Sequence, residues 1–214
     1  MEHIADNVAL CLLEANAVKL SPKEPFTWAS GLKSPIYCDN RVLLSYPEKR
    51  NIIKNGLVKI SGYFDDFDVV AGVATAGIPH GMLLADALHK PFIYVRDKPK
   101  AHGRQNAIEG NLQEGQSVLV VEDLISTGGS ALKAVDTLEA SGATVVGVVA
   151  IFSYGFEKAT TEFRQRSLHC KTLSNYLALI NVALKNKFID AEDFEALEQW
   201  MTNPEQWSEE RHNS

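Results

Sequence analysis

Residues 118–130 read Val-Leu-Val-Val-Glu-Asp-Leu-Ile-Ser-Thr-Gly-Gly-Ser, and this stretch decides the fold. The first four residues are aliphatic without polar alternation, which predicts a strand buried on both faces in a parallel sheet. Apolar residues then recur at helical spacing, at Ala131, Leu132, Val135 and Leu138. The stretch therefore predicts a strand, a loop of small residues and a helix.

The loop at 126–130 is a candidate phosphate site. The first N–H groups of a helix are unpaired, and the helix dipole favours an anion there. Glycines allow close approach of the backbone, and hydroxyl groups of the same loop can donate hydrogen bonds as well. No lysine follows the glycines, so a Walker-type triphosphate site is not indicated. An ordinary strand–helix connection, with a serine or threonine capping the helix, is the alternative.

Two acids, Glu122 and Asp123, stand directly before this loop. Acids beside a phosphate site repel the ligand unless the ligand itself needs them. Sugar hydroxyls and Mg²⁺ are such groups, because carboxylates accept from hydroxyls and are hard oxygen ligands. Neighbours on a regular strand point to opposite faces, so both acids meet one ligand only where the strand is ending. The sequence alone leaves this question open.

The segment from Val120 to Ser130 resembles the phosphoribosyl pyrophosphate (PRPP) motif of type I phosphoribosyltransferases. In that family the paired acids hold the ribose hydroxyls and the loop holds the 5′-phosphate. The resemblance therefore implies a PRPP site formed by Glu122, Asp123, Leu124, Ile125, Ser126, Thr127, Gly128, Gly129 and Ser130. Ser126 also stands where the family contacts orotate.

A second segment, 26–41, includes the pattern Phe-Thr-x-x-Ser-Gly-x-Lys-Ser-Pro and reads as two short strands, 26–28 and 36–38, with a turn between them. It resembles the N-terminal part of orotate phosphoribosyltransferases, where it forms a hood over the base pocket. We call residues 26–41 the hood segment. Its aromatic residues could stack on a pyrimidine or simply form a hairpin core. Some relatives carry a lysine where Ala29 stands, and Lys33 is not an automatic substitute.

A basic loop, residues 96–110, follows a third predicted strand, 91–95. Charged runs of this kind are usually solvated surface, but a loop of this length without apolar periodicity is often functional. The pattern Arg96-x-x-x-Lys100-x-His102-Gly103 resembles the flexible catalytic loop of orotate phosphoribosyltransferases. The resemblance implies that Arg96, Lys100 and His102 are the catalytic residues and bind the pyrophosphate part of PRPP.

A further strand, 68–73, precedes a small-residue loop, 74–78, whose family counterpart offers backbone amides to pyrophosphate, and a helix is predicted to start at Pro79. Some relatives have a lysine where Ala76 stands, and a plain strand–helix turn is the alternative. All three loops follow predicted parallel strands, so they should gather at the carboxyl edge of one sheet, where open α/β folds bind ligands. Some relatives hold the orotate carboxylate with an arginine near the sequence Ser153-Tyr154-Gly155, which lacks one here.

Composition sets the class of protein and its organisation. With 214 residues and 45% hydrophobic content, the chain can form one compact domain with a substantial core. We expect the type I phosphoribosyltransferase fold, a mostly parallel α/β sheet flanked by helices, with a small N-terminal hood. Its parts are the N-terminal helix and hood at 1–62, the PRPP-binding core at 63–174, and C-terminal helices at 175–214 that pack on the core or hood. The polar end, 208–214, predicts a frayed terminus.

Charge and cysteine content suggest the partners and compartment. A net charge of −6 argues against general binding to nucleic acid or to anionic membranes. Three widely spaced cysteines without a CxxC pattern indicate neither a disulfide framework nor a zinc site, and the N-terminus does not resemble a signal peptide. We therefore expect a cytoplasmic protein with small-molecule partners, no nucleic acid and no membrane.

The resemblance implies a reaction in which orotate and PRPP give orotidine 5′-monophosphate and pyrophosphate, in de novo pyrimidine synthesis. It also implies Mg²⁺ as cofactor, held mainly by PRPP rather than by protein ligands, and a homodimer with shared active sites. One alternative is an enzyme of the same family that acts on a purine base. The other is a non-enzymatic regulator that keeps the fold as a PRPP sensor, but no basic nucleic-acid-binding element is evident.

Overall fold

A central sheet of six strands forms the frame of the computed structural model, which describes residues 2–28, 30–97 and 107–212. The strands are β1 (Val18–Leu20), β2 (Phe26–Thr27), β3 (Lys33–Ser34), β4 (Ile36–Cys38), β5 (Val69–Val73), β6 (Phe92–Val95), β7 (Ile108–Glu109), β8 (Ser117–Ile125), β9 (Thr144–Ser153) and β10 (Cys170–Asn175). The helices are α1 (Glu2–Glu14), α2 (Pro47–Ser61), α3 (Gly77–Leu88), α4 (Gly129–Glu139), α5 (Glu157–Gln165), α6 (Tyr176–Lys185), α7 (Ala191–Thr202) and α8 (Pro204–His212), with a 3₁₀ helix at Asn40–Ser45.

The sheet has the strand order β10-β9-β8-β5-β6-β7. Neighbouring strands are parallel except β7, which pairs antiparallel with β6. The expected mostly parallel α/β fold is therefore confirmed. Parallel pairing places the carboxyl ends of β8, β5 and β6 side by side, and the three loops of interest leave from that edge.

Both faces of the sheet are covered by hydrophobic cores, which explains the apolar run in β8. Val118 and Val120 belong to the core that includes buried residues of α4 and α5. Leu119 and Val121 belong to the larger core formed with α1, α2 and α6. Alternate residues of one strand thus pack against different helices, so no position in 118–121 needs to be polar.

The hood segment pairs differently from the predicted hairpin. Strand β2 pairs with β3, at Phe26↔Ser34 and Thr27↔Lys33, and not with β4. Strand β4 instead pairs with β1, which the sequence did not indicate. Pro35 separates β3 from β4, and its ring nitrogen cannot donate to a ladder, so one continuous strand is not formed there.

The C-terminal helices pack against the hood segment. The predicted frayed terminus is wrong as far as residue 212, because α8 continues to His212. The reason is apolar burial, since Trp207 is 5% exposed and belongs to the larger core. The buried hydroxyl of Ser208 accepts a hydrogen bond from the backbone N–H of Lys33 at 2.8 Å. Among the helices of the described residues, none is long and apolar enough to cross a bilayer.

Candidate active site

The strand β8 does not end at the acids but continues through them to Ile125. Its pairing with β9 continues over the same residues, with Glu122 opposite Ala150 and Leu124 opposite Phe152. On the other side, pairing with β5 ends at Val121, opposite Gly72. The two acids therefore lie on a strand that has already lost one of its two neighbours, at the carboxyl edge of the sheet.

The carboxyl groups of Glu122 and Asp123 meet although they are neighbours on a strand. Their side chains are hydrogen-bonded to each other, and the Glu122 Oε1 also accepts from the Asp123 backbone N–H at 3.0 Å. Glu122 is only 5% exposed, whereas Asp123 is partly open to solvent. Burial, with the neighbouring carboxylate, raises the pKa of Glu122, and burial also raises the pKa of Asp123. The pair therefore retains a proton more readily than two exposed acids would.

The loop after β8 leaves the start of α4 open to a ligand. The residue that caps α4 is Gly128, which has a φ of +82° and offers no side chain to the helix. The alternative of a helix capped by serine or threonine is thus not the observed arrangement. Thr127, Gly129 and Ser130 are exposed, and Ser126 is half-buried. Unpaired N–H groups and exposed hydroxyls at a helix N-terminus are suited to a phosphate group.

The loop after β5 comes against the end of β8 through a glycine. A methyl group added to Gly77 would lie 2.4 Å from the Val121 carbonyl oxygen. Helix α3 begins at this glycine and not at Pro79, where the sequence suggested its start. The peptide bond between Ala74 and Thr75 is cis. This loop therefore lies beside the acid pair, as the parallel topology requires.

The basic loop begins at a small cleft at the carboxyl edge of the sheet. The residues that line this cleft come from the ends of β5 and β6, the chain after them, and α4; they are Val73, Ala74, Val95, Arg96, Asp97, Ser130, Lys133 and Ala134. Arg96 forms an ion pair with Glu109 at 3.4 Å, and its backbone N–H donates to the Ala107 carbonyl at 2.8 Å. Lys100 and His102 lie outside the described residues. The structure thus brings Arg96 to the edge where the phosphate loop begins.

Aromatic residues of the hood segment meet the end of β9. The rings of Trp28 and Tyr154 are 5.1 Å apart, and Trp28 also contacts Trp200 of α7 edge to face at 6.0 Å. Trp28 is therefore part of the packing, but its aromatic partners lie outside the hood segment and not in the core of a hairpin. Tyr37 is 42% exposed and remains open to a ligand. Lys33 donates from Nζ to the Thr27 hydroxyl at 3.0 Å, within the hood segment.

One buried polar residue near the acids was not identified from the sequence. Asn40 is fully buried, and its Nδ2 donates to the Asp123 carbonyl oxygen at 2.9 Å. The one available signal was the polar run Asp39-Asn40-Arg41 directly after an apolar strand. Arg41 itself pairs with Asp39, with its Nε 2.7 Å from the Asp39 Oδ1.

Comparisons with known proteins show the family of this chain. A phosphoribosyl transferase domain is matched over residues 46–186. The orotate phosphoribosyltransferase of Cytophaga hutchinsonii is 51% identical over 201 residues, which cover 94% of this chain and 96% of that protein. The orotate phosphoribosyltransferase structure from Aeropyrum pernix matches with a TM-score of 0.73 and 29% identity, covering 86% of this chain and 99% of that one.

A third relative carries a ligand in its structure. The orotate phosphoribosyltransferase of Mycobacterium tuberculosis H37Rv, solved in complex with PRPP, matches with a TM-score of 0.64 and 25% identity over 81% of this chain and 98% of that one. The sequence relatives, the matched domain and the shared fold all point to one family. The chain belongs to the phosphoribosyltransferase family, and within it to the orotate phosphoribosyltransferases.

Proposed function

We propose that the carboxyl edge of the sheet binds PRPP and orotate and transfers the phosphoribosyl group to orotate, giving orotidine 5′-monophosphate and pyrophosphate in de novo pyrimidine synthesis. The observation that carries this proposal is the contact between the carboxyl groups of Glu122 and Asp123 directly beside an uncapped helix N-terminus. This arrangement offers acceptors for two neighbouring hydroxyl groups and donors for a phosphate within one site.

The roles of the residues follow from the charges that the reaction develops. Breaking the anomeric bond leaves positive charge on the ribose and negative charge on the departing pyrophosphate. Preorganised cations at the leaving group and a fixed ribose supply most of the acceleration in such a reaction. We assign Arg96, Lys100 and His102 to the pyrophosphate, and Glu122 with Asp123 to the ribose hydroxyls.

The remaining contacts concern the two ends of the substrates. The loop 126–130 takes the 5′-phosphate, and Ser126 also contacts orotate. The hood segment covers the base, where the exposed ring of Tyr37 is available for stacking.

Magnesium fits this site as an ion that arrives with the substrate. The described residues contain no group of three or more His, Cys, Asp or Glu side chains that could hold a metal. Mg²⁺ prefers oxygen ligands and retains water or phosphate oxygens in its shell, so the pyrophosphate oxygens of PRPP would supply most ligands. The carboxylates of Glu122 and Asp123 could accept hydrogen bonds from water molecules of that shell. The ion would neutralise charge on the leaving group.

Two properties of the whole protein complete the proposal. A homodimer is proposed on the family resemblance, with the basic loop of one subunit reaching the site of the other. A cytoplasmic location is supported by the cysteines, because Cys11, Cys38 and Cys170 are all free thiols.

The test is a direct assay of the reaction. Enzyme, PRPP and Mg²⁺ are added to orotate, and the ultraviolet absorbance of orotate is followed with and without a chelator. Loss of orotate that requires both PRPP and Mg²⁺ is the expected result. Turnover of adenine, xanthine or hypoxanthine instead of orotate would contradict the assigned base. PRPP binding without turnover of any base would indicate a regulator.

A further inference from the structure

Asn40 joins the hood segment to the ribose end of the site. It is the first residue of the 3₁₀ helix that follows β4, and its side chain is fully buried. Its Nδ2 donates to the Asp123 carbonyl oxygen at 2.9 Å, across 83 residues of sequence. Its Oδ1 accepts from the Cys38 thiol at 3.5 Å. Both ends of the amide are thus engaged, which fixes its orientation.

The hydrogen bond from Asn40 reaches β8 at a point where β5 no longer pairs with it. Pairing with β5 ends at Val121, so the chain at Asp123 has lost the strand that supports the rest of β8 on that side. A buried carbonyl without a partner costs free energy, and Asn40 supplies a partner for this one. The amide also lies near the Asp123 carboxyl, where burial raises the pKa and the Asn40 side chain opposes that rise.

We propose that Asn40 is a positioning residue for PRPP, which fixes Asp123 for the ribose hydroxyls by tying the hood segment to the end of β8. This inference rests on the proposed assignment of Asp123 to those hydroxyls. It gives the base-covering segment a direct connection to the ribose site. Asn40 itself touches no substrate and acts through Asp123.

The test uses Asn40→Asp, which keeps the size of the side chain and removes its only donor group. PRPP binding in the presence of Mg²⁺ is measured by titration calorimetry. We expect binding weaker by about tenfold or more, the effect of losing one hydrogen bond of ordinary strength. Asn40→Ala, which adds no charge, should weaken binding in the same direction.

Asn186→Asp is the matched control. Asn186 makes the same kind of bond, from Nδ2 to the Val182 carbonyl oxygen at 2.8 Å, but at the end of α6 and away from the site. The Asn186→Asp variant should bind PRPP as the unmodified protein does. Thermal unfolding of all three variants separates a loss of stability from a loss of binding.

A double-mutant cycle with Asp123→Asn tests whether Asn40 acts through Asp123. In the Asp123→Asn background, Asn40→Asp should cause little further loss of PRPP affinity. A full tenfold loss in that background, or an Asn40→Asp variant that binds PRPP within twofold of the unmodified protein, would overturn the inference. So would failure of both Asn40 variants to fold, because Asn40 would then serve the fold alone. The titration measures PRPP binding and not turnover. If orotate is not the substrate, orotate turnover would be absent, but the effect of the Asn40 variants on PRPP binding would remain.

Discussion

At the scale of the residue, Glu122 is an acid that folding removes from water. Its ordinary pKa is 4.5, and burial raises the folded-state value above it. Between these two values the unfolded chain has released its proton while the folded protein retains it, so stability falls as pH rises. The contribution of the Glu122 carboxyl to folding stability is therefore fully present below its ordinary pKa, and it is lost as pH rises toward the pKa of the folded protein. The site keeps this acid at a cost to stability.

Glu122→Gln should separate stability from activity. The neutral amide cannot ionise, so we expect the variant to be more stable than the unmodified protein at pH 8 by at least about 1.4 kcal/mol, the value of one pKa unit. The difference should disappear near pH 4. Affinity for PRPP should fall by about tenfold, because a carboxyl acceptor for the ribose hydroxyls is lost. Urea unfolding at both pH values, with PRPP titration, measures the two effects. A variant less stable at pH 8 would contradict the buried-acid account.

Sequence reasoning found some residues of the candidate site and missed others for a physical reason. Glu122, Asp123 and the loop after them form a continuous motif whose chemistry can be read directly. Asn40 is joined to Asp123 across 83 residues, and an isolated asparagine gives no sign of its distant partner. The contact between the two carboxyl groups was equally beyond the sequence, because it depends on side-chain orientations at the end of β8.

At the scale of the element, the start of α3 is set by how closely its backbone approaches β8. We expect Gly77→Ala to destabilise the protein by about 1–3 kcal/mol, because the added methyl would lie 2.4 Å from the Val121 carbonyl oxygen. Gly129, the first residue of α4, is the control, since the nearest atom to its added methyl would be 3.9 Å away. Gly129→Ala should leave the thermal midpoint unchanged or slightly raised. Equal losses in both variants would show that the close approach is not the cause.

The hood is the element that the sequence predicted least well. Its two predicted strands, 26–28 and 36–38, were expected to form a hairpin, but β2 pairs with β3, which lies before Pro35, and β4 pairs with β1. Short strands carry few pattern residues, so a proline or a distant partner decides their pairing. The long core strands were predicted more accurately, because burial on both faces leaves a continuous apolar run that few other structures explain.

The hydrogen bond from the backbone N–H of Lys33 to the Ser208 hydroxyl gives a second prediction at the scale of the element. Ser208→Ala removes the acceptor that holds β3 against α8, so we expect a loss of about 1 kcal/mol in stability. If the hood segment covers the base, the KM for orotate should rise while the KM for PRPP stays the same. Ser141→Ala is the control, because its hydroxyl only donates to the Thr137 carbonyl at the end of α4. An equal rise in both KM values would place the effect outside the base pocket.

At the scale of the whole molecule, topology assembles the site. The three loops after β5, β6 and β8 are far apart in sequence, yet parallel pairing brings their starting points to one edge. This could be predicted, because it follows from strand type alone. The sequence left open whether α7 and α8 pack on the core or on the hood, since the choice depends on aromatic contacts such as Trp28 with Trp200. Helical periodicity shows which face is buried but not the surface that it meets.

The shared-site dimer is the last whole-molecule prediction. Lys100→Ala should lower kcat by about 10²-fold, by analogy with the loss of one preorganised donor. Asp123→Asn should impair the ribose site of its own subunit. If the basic loop serves the neighbouring subunit, a hybrid dimer with one subunit of each kind contains one site with both defects and one intact site. Co-expression with two affinity tags isolates the hybrid.

That hybrid should recover about half of the activity of the unmodified dimer, since one of its two sites is intact. The two parent variants, purified the same way, are the controls and should stay far less active than the unmodified dimer. If each loop serves its own subunit, both sites of the hybrid carry one defect and no activity returns. Failure of the two tagged chains to co-purify at all would contradict the dimer itself. The assay therefore decides whether the cations on the basic loop and the acids on β8 work within one chain or between two.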